Sequence, residues 1–311
     1  MTTGRKKRCA FLTMQDTGGW SIDADLAFAP MAELGWQCEW LPWRQAGVDW
    51  NAWDAVYIAA PWDYPQDPQA FLSVLGDIDA STAVLVNDLV LVCWNLAKTY
   101  LRDLESRGAS IVPSRWCERS TGDWFDGENL DRCFGSFGGE LIIKPVVSTN
   151  ATDTFRVSKP VDRAMLDLLK KTFHDRPFVV QPFLGQICEE GEFSLFYFGD
   201  QYSHAIQKIP KRGDFRVQEE HGAGIIAVEP EAALRDTGDF VMSLVTPLPV
   251  YCRSDFVRGD DGRFLLMELE MIEPSMYLRM HRSAPRRFAE ALDSYVRKSR
   301  KSGVEPHFSK K

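Results

Sequence analysis

The stretch from Tyr251 to Glu270 constrains this chain most, because it reads as one antiparallel hairpin with its charges on one face. The runs Tyr251-Cys-Arg253-Ser-Asp255-Phe-Val257 and Phe264-Leu-Leu-Met-Glu268-Leu-Glu270 flank Asp261-Gly262. Asp-Gly between two alternating apolar runs favours a two-residue type I′ turn, whose central positions both need positive φ. With Asp261 and Gly262 as the loop, Asp260 pairs with Arg263, Asp255 lies opposite Glu268, and Arg253 lies opposite Glu270. Side chains alternate along a strand, so these charges share one face with Val257, Phe264 and Leu266. Cys252, Ser254, Phe256, Leu265, Met267 and Leu269 take the other, buried face. Opposed carboxylates repel unless a cation lies between them. Three acids offering only oxygen suit Mg²⁺ or Mn²⁺ rather than zinc. The plainer reading is a solvated outer face with one ion pair.

A chain of 311 residues can bury a large core divided into two or three domains. Its net charge of −8 argues against a nucleic-acid-binding protein while leaving room for a local basic groove. The seven cysteines are scattered without metal-ligand spacing and read as free thiols. The basic N-terminus (Arg5 to Arg8) precedes an apolar run that Gln15-Asp16 interrupts, too short for a signal-peptide core. No run reaches membrane-spanning length. A cytoplasmic enzyme is expected.

Residues 1–95 alternate strands and helices, which implies an open, mostly parallel sheet. The strand-like runs are Cys9–Met14, Trp36–Leu41, Ala55–Ala60 and Ala83–Val86. One helix runs from about Asp23 to Gly35, and another starts at Asp67-Pro68. A helix capped by Asn95 opens the second part and carries Lys98. Strand signals follow at Leu141–Lys144, Phe178–Gln181, Glu192–Phe198 and Tyr202–Lys208. The helix Val161–His174 turns Met165, Leu168, Leu169 and Phe173 inward. Arg286–Arg300 reads as a final helix, with a polar tail from Lys301 that frays. This later texture is α+β with antiparallel pairs. Three units are expected over 1–95, 96–185 and 186–311.

Lys98, Lys144 and Lys208 stand out as cations. A lysine at a strand end is usually a surface residue. Lys144, however, ends the wholly apolar run Leu-Ile-Ile and precedes Pro145, a good place to meet a phosphate. No Walker loop or GxGxxG occurs. The segment after Lys144, from Val146 through Ser148 to Asp153, offers hydroxyls and backbone N–H groups that can cradle phosphate, or simply form a polar turn.

In order and spacing this constellation resembles the ATP-grasp superfamily from about Asn95 to the C-terminus. Lys98, Lys144, the hinge Gln181-Pro-Phe183-Leu184, Glu192, Lys208, Arg253, Asp255, Glu268 and Glu270 carry the likeness. Lys208 to Arg216 with Gly222-Ala-Gly224 is similar to the triphosphate loop of the glutathione synthetase-like branch. Trp62-Asp-Tyr64, Trp94-Asn95, Ser203-His204-Ala205 and Glu268-Leu-Glu270-Met-Ile-Glu273-Pro274 resemble ligases of the D-cycloserine-forming O-ureidoserine cyclo-ligase type. The chain departs from the wider superfamily in two ways. Its phosphate loop lacks glycines, and Glu270 stands where many relatives have Asn.

The resemblance implies an ATP-grasp fold: a Rossmann-like N-terminal domain, a small α+β central domain and an antiparallel C-terminal domain. It also implies a ligase that activates an amino-acid-like carboxylate as an acylphosphate with ATP and forms an amide or cyclic amide. Asp255, Glu268 and Glu270 are then the metal ligands, with Arg253, Lys208 and Arg216 catalytic. Lys98, Lys144 and Ser148 take the phosphates, Gln181, Phe183 and Leu184 the adenine, and Glu192 the ribose, a role open also to Glu189 or Glu190. The loop Pro210 to Gly224, rich in charge and glycine, is expected to be mobile until it closes over a triphosphate. Trp62, Asp63 and His204 are candidate substrate contacts. Asp63 reads equally as a turn former between prolines, and His204 as a hydrogen-bonded core residue. A metabolite kinase and a non-catalytic nucleotide-binding module are the alternatives, and retention of Arg253 with all three acids weighs against the second. The partner is a small amino-acid-derived molecule, not nucleic acid or membrane. A homo-oligomer is compatible with the sequence.

Overall fold

A computed structural model of the chain describes residues 5–118, 122–125 and 128–301. The tail expected to fray from Lys301 lies outside them except for Lys301 itself, which ends the last helix. Three sheets are drawn from consecutive stretches of sequence. The first is wholly parallel, with β1 (Lys7–Thr13), β2 (Trp36–Pro42), β3 (Ala55–Ala60) and β4 (Val84–Val86) in the order β2-β1-β3-β4. Every residue of β3 is buried, as a central parallel strand covered on both faces must be. Helix Pro68–Asp79 starts at the expected cap, with Asp67 Oδ1 accepting from Ala70 N at 3.1 Å, and packs Phe71, Leu75 and Ile78 on one face. Helix Ala284–Lys301 returns from the far end of the chain to the other face. There Phe288, Leu292 and Val296 join Phe11 and Tyr57 in one core.

The second sheet is antiparallel, with β5 (Arg115–Cys117), β6 (Glu140–Pro145), β7 (Phe155–Ser158) and β8 (Phe178–Pro182) in the order β5-β8-β6-β7. Helix Arg163–Thr172 covers it with Leu169, and Phe173 follows into the same core. Leu168, expected inward, is exposed, because at 3.6 residues per turn it lies off that stripe. The third sheet is also antiparallel: β9 (Glu192–Phe198), β10 (Gln201–Ile209), β11 (Gly224–Val228), β12 (Tyr251–Arg258) and β13 (Phe264–Glu270), in the order β11-β10-β9-β12-β13. Among the described residues, no helix is long and apolar enough to cross a membrane.

The β12–β13 hairpin reaches the expected charged pairs by a different route. Gly259 N donates to Arg263 O at 2.8 Å and Gly262 N to Gly259 O at 2.9 Å, so the loop is Asp260-Asp261-Gly262. Only Gly262, at φ +82°, is left-handed there, which fits the three-residue closure rather than type I′. That closure shifts the pairing by one, so Arg258 faces Phe264 and Phe256 faces Leu266. A bulge at Met267 then absorbs the offset and restores Asp255 opposite Glu268 and Arg253 opposite Glu270. Between turn and bulge the faces of β13 are exchanged. Phe264 and Leu266 enter the core with Phe256, while Leu265 and Met267 join Val257 on the charged face.

Asn95 is also corrected. It ends helix Leu89–Asn95, whose cap is Asp88, and the next helix, Tyr100–Ser106, begins only after Lys98. Asn95 instead serves the outer edge of β13, donating to Leu269 O at 2.7 Å and accepting from Met271 N at 2.9 Å. Tyr100 Oη accepts from Leu269 N at 3.0 Å, and Ser110 O accepts from Leu266 N at 2.8 Å. An edge strand carrying the key acids is thereby closed to further pairing.

Candidate active site

The charged face of the hairpin opens on a cleft where the three sheets converge. Asp255, Glu268 and Glu270 each present a carboxylate oxygen within 4.8 Å of the others. Arg253 lies among them. Its Nε is 3.0 and 3.1 Å from the two Asp255 oxygens, its Nη2 contacts Glu270, and its Nη1 donates to Ser275 O at 3.2 Å. Ser194 Oγ donates to Asp255 Oδ1 at 2.5 Å. From β10, Lys208 Nζ meets Glu192 at 2.6 Å and Asp255 at 3.4 Å. Glu192, expected on the ribose, is therefore engaged by Lys208 across the β9–β10 pair. Lys98 Nζ lies 3.1 Å and Lys144 Nζ 3.4 Å from the same oxygen of Glu268.

These arrangements divide the acids. Burial raises every one, but Lys98 and Lys144 pull Glu268 well below the usual carboxylate range, and Arg253 with Lys208 lowers Asp255. Glu270 keeps a balance of burial, the neighbouring acids and Arg253 that pushes it up to about 7. Burial lowers Lys144, with Lys98 adding to it against Glu268. All-oxygen donors at this spacing fit a hard divalent cation.

The cleft also takes in Trp62, Ser148, Gln181, Phe183, Leu184 and Arg216. Gln181 is fixed by donating to Ser114 Oγ at 2.9 Å. Ser148 O accepts from Lys98 Nζ at 2.9 Å. The loop after Lys144 turns without glycine, holding Asn150, Ala151 and Asp153 at φ of 53°, 54° and 55°. Arg176 braces it through Asp153 Oδ2 at 2.5 Å and Val147 O at 3.4 Å. Non-glycine residues held in this region store strain that the surrounding contacts must offset. The loop Pro210 to Gly224, expected to be mobile until a triphosphate binds, buries part of itself. Its Phe215 and Val217 pack with Val112, Ile187 and Val257, and Arg216 forks onto Asp214 at 2.7 Å. Those two apolar side chains were outweighed by the charges around them.

Two expected substrate contacts lie elsewhere. Asp63 turns away from the cleft, accepting from Trp43 Nε1 at 2.6 Å and facing Arg44 Nε at 3.3 Å. The turn after β3 sends Trp62 inward and its neighbour outward. His204 is buried against Phe196, ring centroids 4.2 Å apart, with Nε2 at 3.2 Å from Met276 O. Burial lowers its pKa to about 4, so it is a neutral core residue.

Sequence reasoning gave no part in the site's chemistry to Glu273, Tyr64, Trp20, Met267, Gln218 or Tyr277, all on the cleft wall. Glu273 is buried, and burial with Glu270 pushes its carboxyl up to about 8. Its backbone oxygen accepts from Trp62 Nε1 at 2.9 Å, while Trp62 O accepts from Thr149 Oγ1 at 3.2 Å. Three parts of the chain are thus tied at one corner. The spacing Glu268-x-Glu270-x-x-Glu273 was the available signal, but only the turn after β13 carries Glu273 back to the cleft.

Residues 9–87 match the family described as the N-terminal domain of D-cycloserine synthetase DcsG. The cycloserine biosynthesis protein DcsG of Streptomyces lavendulae is 28% identical over 295 residues, covering 88% of this chain and 94% of that protein. The crystal structure of D-cycloserine synthetase DcsG superposes with a TM-score of 0.80 at 24% identity, over 93% of this chain and 99% of the other. The ATP-grasp ligase PsnB, solved with a minimal precursor, Mg and ADP, gives 0.61 at 15% identity, over 93% and 98%. The chain has the ATP-grasp fold and is similar to D-cycloserine synthetase over most of its length. In that fold an Arg, three acids and three lysines converge on one cleft.

Proposed function

We propose that the ligase activates the carboxylate of a small amino-acid-derived substrate with ATP and joins it to a nitrogen, as an amide or a cyclic amide. One observation carries this reading: Arg253, the three acids and the two lysines on Glu268 share one cleft. Asp255, Glu268 and Glu270 are assigned to hold Mg²⁺ or Mn²⁺. When bound, that ion neutralises charge developing on the transferred phosphate. Lys144 and Lys98 then exchange Glu268 for the phosphates, helped by Ser148 and the backbone of its loop. The adenine lies against Gln181, Phe183 and Leu184, with Met267 as a wall. Glu192 reaches the ribose only by releasing Lys208.

Transfer of the γ-phosphate to the substrate carboxylate gives an acylphosphate, and attack by the nitrogen expels phosphate. Arg253 stabilises the oxyanion formed in that attack, and the loop bearing Arg216 excludes water. The three stretches 1–95, 96–185 and 186–311 are proposed to act as substrate, nucleotide-clamping and metal-bearing units. Similarity to D-cycloserine synthetase favours ring closure within one substrate. The test is ADP release from panels of amino acids and their O-substituted derivatives, with mass spectrometry of products. A dehydrated amide product supports the ligase. A stable phosphorylated product indicates a kinase instead.

A further inference from the structure

Once Asp63 and His204 are removed from the cleft, the wall beyond the three metal-facing acids still carries an acid of its own, one that a bound cation would hold ionised. Glu273 is 7% exposed and faces the cleft. Among the described residues its carboxylate forms no ion pair, unlike Asp255, Glu268, Glu270 and Glu192. Beside it stands a neutral group, the phenol of Tyr64, contributed by the turn after β3, while Lys98 and Arg253 act on it only from beyond ion-pair distance. Burying a carboxylate without a cation is costly, so such a group persists where a ligand supplies the charge. The wall beside it is aromatic, with Trp20 and Trp62 ring centroids 5.1 Å apart, and an indole face also attracts cations. Independently, the buried side-chain oxygen of Gln218 lines the same cleft and, among the described residues, meets no donor. An acid without an ion-pair partner and an acceptor without a donor face one cavity.

We propose that Glu273, positioned by Tyr64 and flanked by Trp62, receives the ammonium group of the acid being activated. This rests on the ligase reading above and assigns its amine-recognition residue. An amino acid docked through its ammonium on Glu273 is selected against the same acid carrying hydroxyl or hydrogen at that carbon. Those analogues leave the carboxylate buried and unpaired.

The experiment measures ADP release by the full chain with Mg·ATP and amino acids of both configurations, each beside its 2-hydroxy and deamino counterparts. The wild type is expected to lose at least about tenfold in kcat/KM without the amine. Glu273→Gln, which keeps the partner for Tyr64, should raise KM for the amino acid about tenfold or more and erase that discrimination. Calorimetry with Mg·ATP should show its nucleotide affinity within about twofold of wild type, which establishes that the variant is folded. Tyr64→Phe should show a smaller change in the same direction. Equal use of amino and deamino acids by the wild type, or full discrimination by Glu273→Gln, overturns the assignment while the ligase stands. No ADP from any carboxylate despite Mg·ATP binding ends the ligase reading and this assignment together.

Discussion

Lys98 Nζ and Glu268 Oε1 lie 3.1 Å apart, joining the connection that follows the first sheet to the last strand of the third. Lys144 approaches the same oxygen from the second sheet at 3.4 Å. One carboxylate therefore holds together cations from separate parts of the chain. The same lysines are those assigned to the nucleotide, so binding it must redistribute a charge network already built.

Glu268→Gln should remove the shared counter-ion of Lys98 and Lys144 together with one metal ligand. The expected result is at least about a hundredfold loss of ADP formation and a loss of about 2–3 kcal/mol of stability without nucleotide. Repulsion among the three acids alone would predict a more stable protein, whereas the two lysines reverse that sign. Urea unfolding of the nucleotide-free protein, alongside the activity assay, checks both.

Lys144→Ala deletes a buried cation and leaves Lys98 alone on Glu268 Oε1. ATP affinity should weaken about tenfold or more, since charge-assisted contacts to phosphate are worth about 1.5–3 kcal/mol. Isothermal calorimetry reads it directly, and unchanged affinity would return Lys144 to a purely structural role.

Gly191→Ala should displace the site without replacing a charged residue. Gly191 sits at φ +99°, and an added Cβ would stand 2.4 Å from Lys208 O. Backbone strain and overpacking together put the cost at about 3 kcal/mol. Because Glu192 and Lys208 flank the clash, activity should fall further than stability explains. Thermal melts paired with kinetics on the folded fraction separate the two.

His204 makes stability depend on pH. Burial holds it neutral, with a pKa of about 4 against an ordinary 6.5. A depressed folded pKa contributes stability that is complete above pH 6.5 and is lost as pH falls towards 4, about 3 kcal/mol in all. His204→Gln should therefore be less stable than wild type at pH 7 and narrow the gap at pH 4.5. A constant difference across that range would contradict the assignment of His204 as a buried neutral residue.

The ends of the hairpin show how sequence and tertiary structure divided the work. Alternation along Tyr251–Val257 and Phe264–Glu270 already placed Arg253, Asp255, Glu268 and Glu270 on one face, because a strand has period two. The three-residue loop and the Met267 bulge were not legible, since each shifts the register by one and the two shifts cancel. Only the exchanged faces of Phe264 to Met267 betray them.

From sequence alone came the parallel first sheet, the antiparallel remainder, the charged hairpin and the lysines at 98, 144 and 208, all properties of local period and residue type. Tertiary structure decided that Asp63 leaves the cleft and Glu273 enters it, that His204 is core, and that Lys208 claims Glu192. Those outcomes depend on where turns point and which strands become neighbours. Such facts are fixed by the packing of residues far apart in the chain, and no local pattern records them.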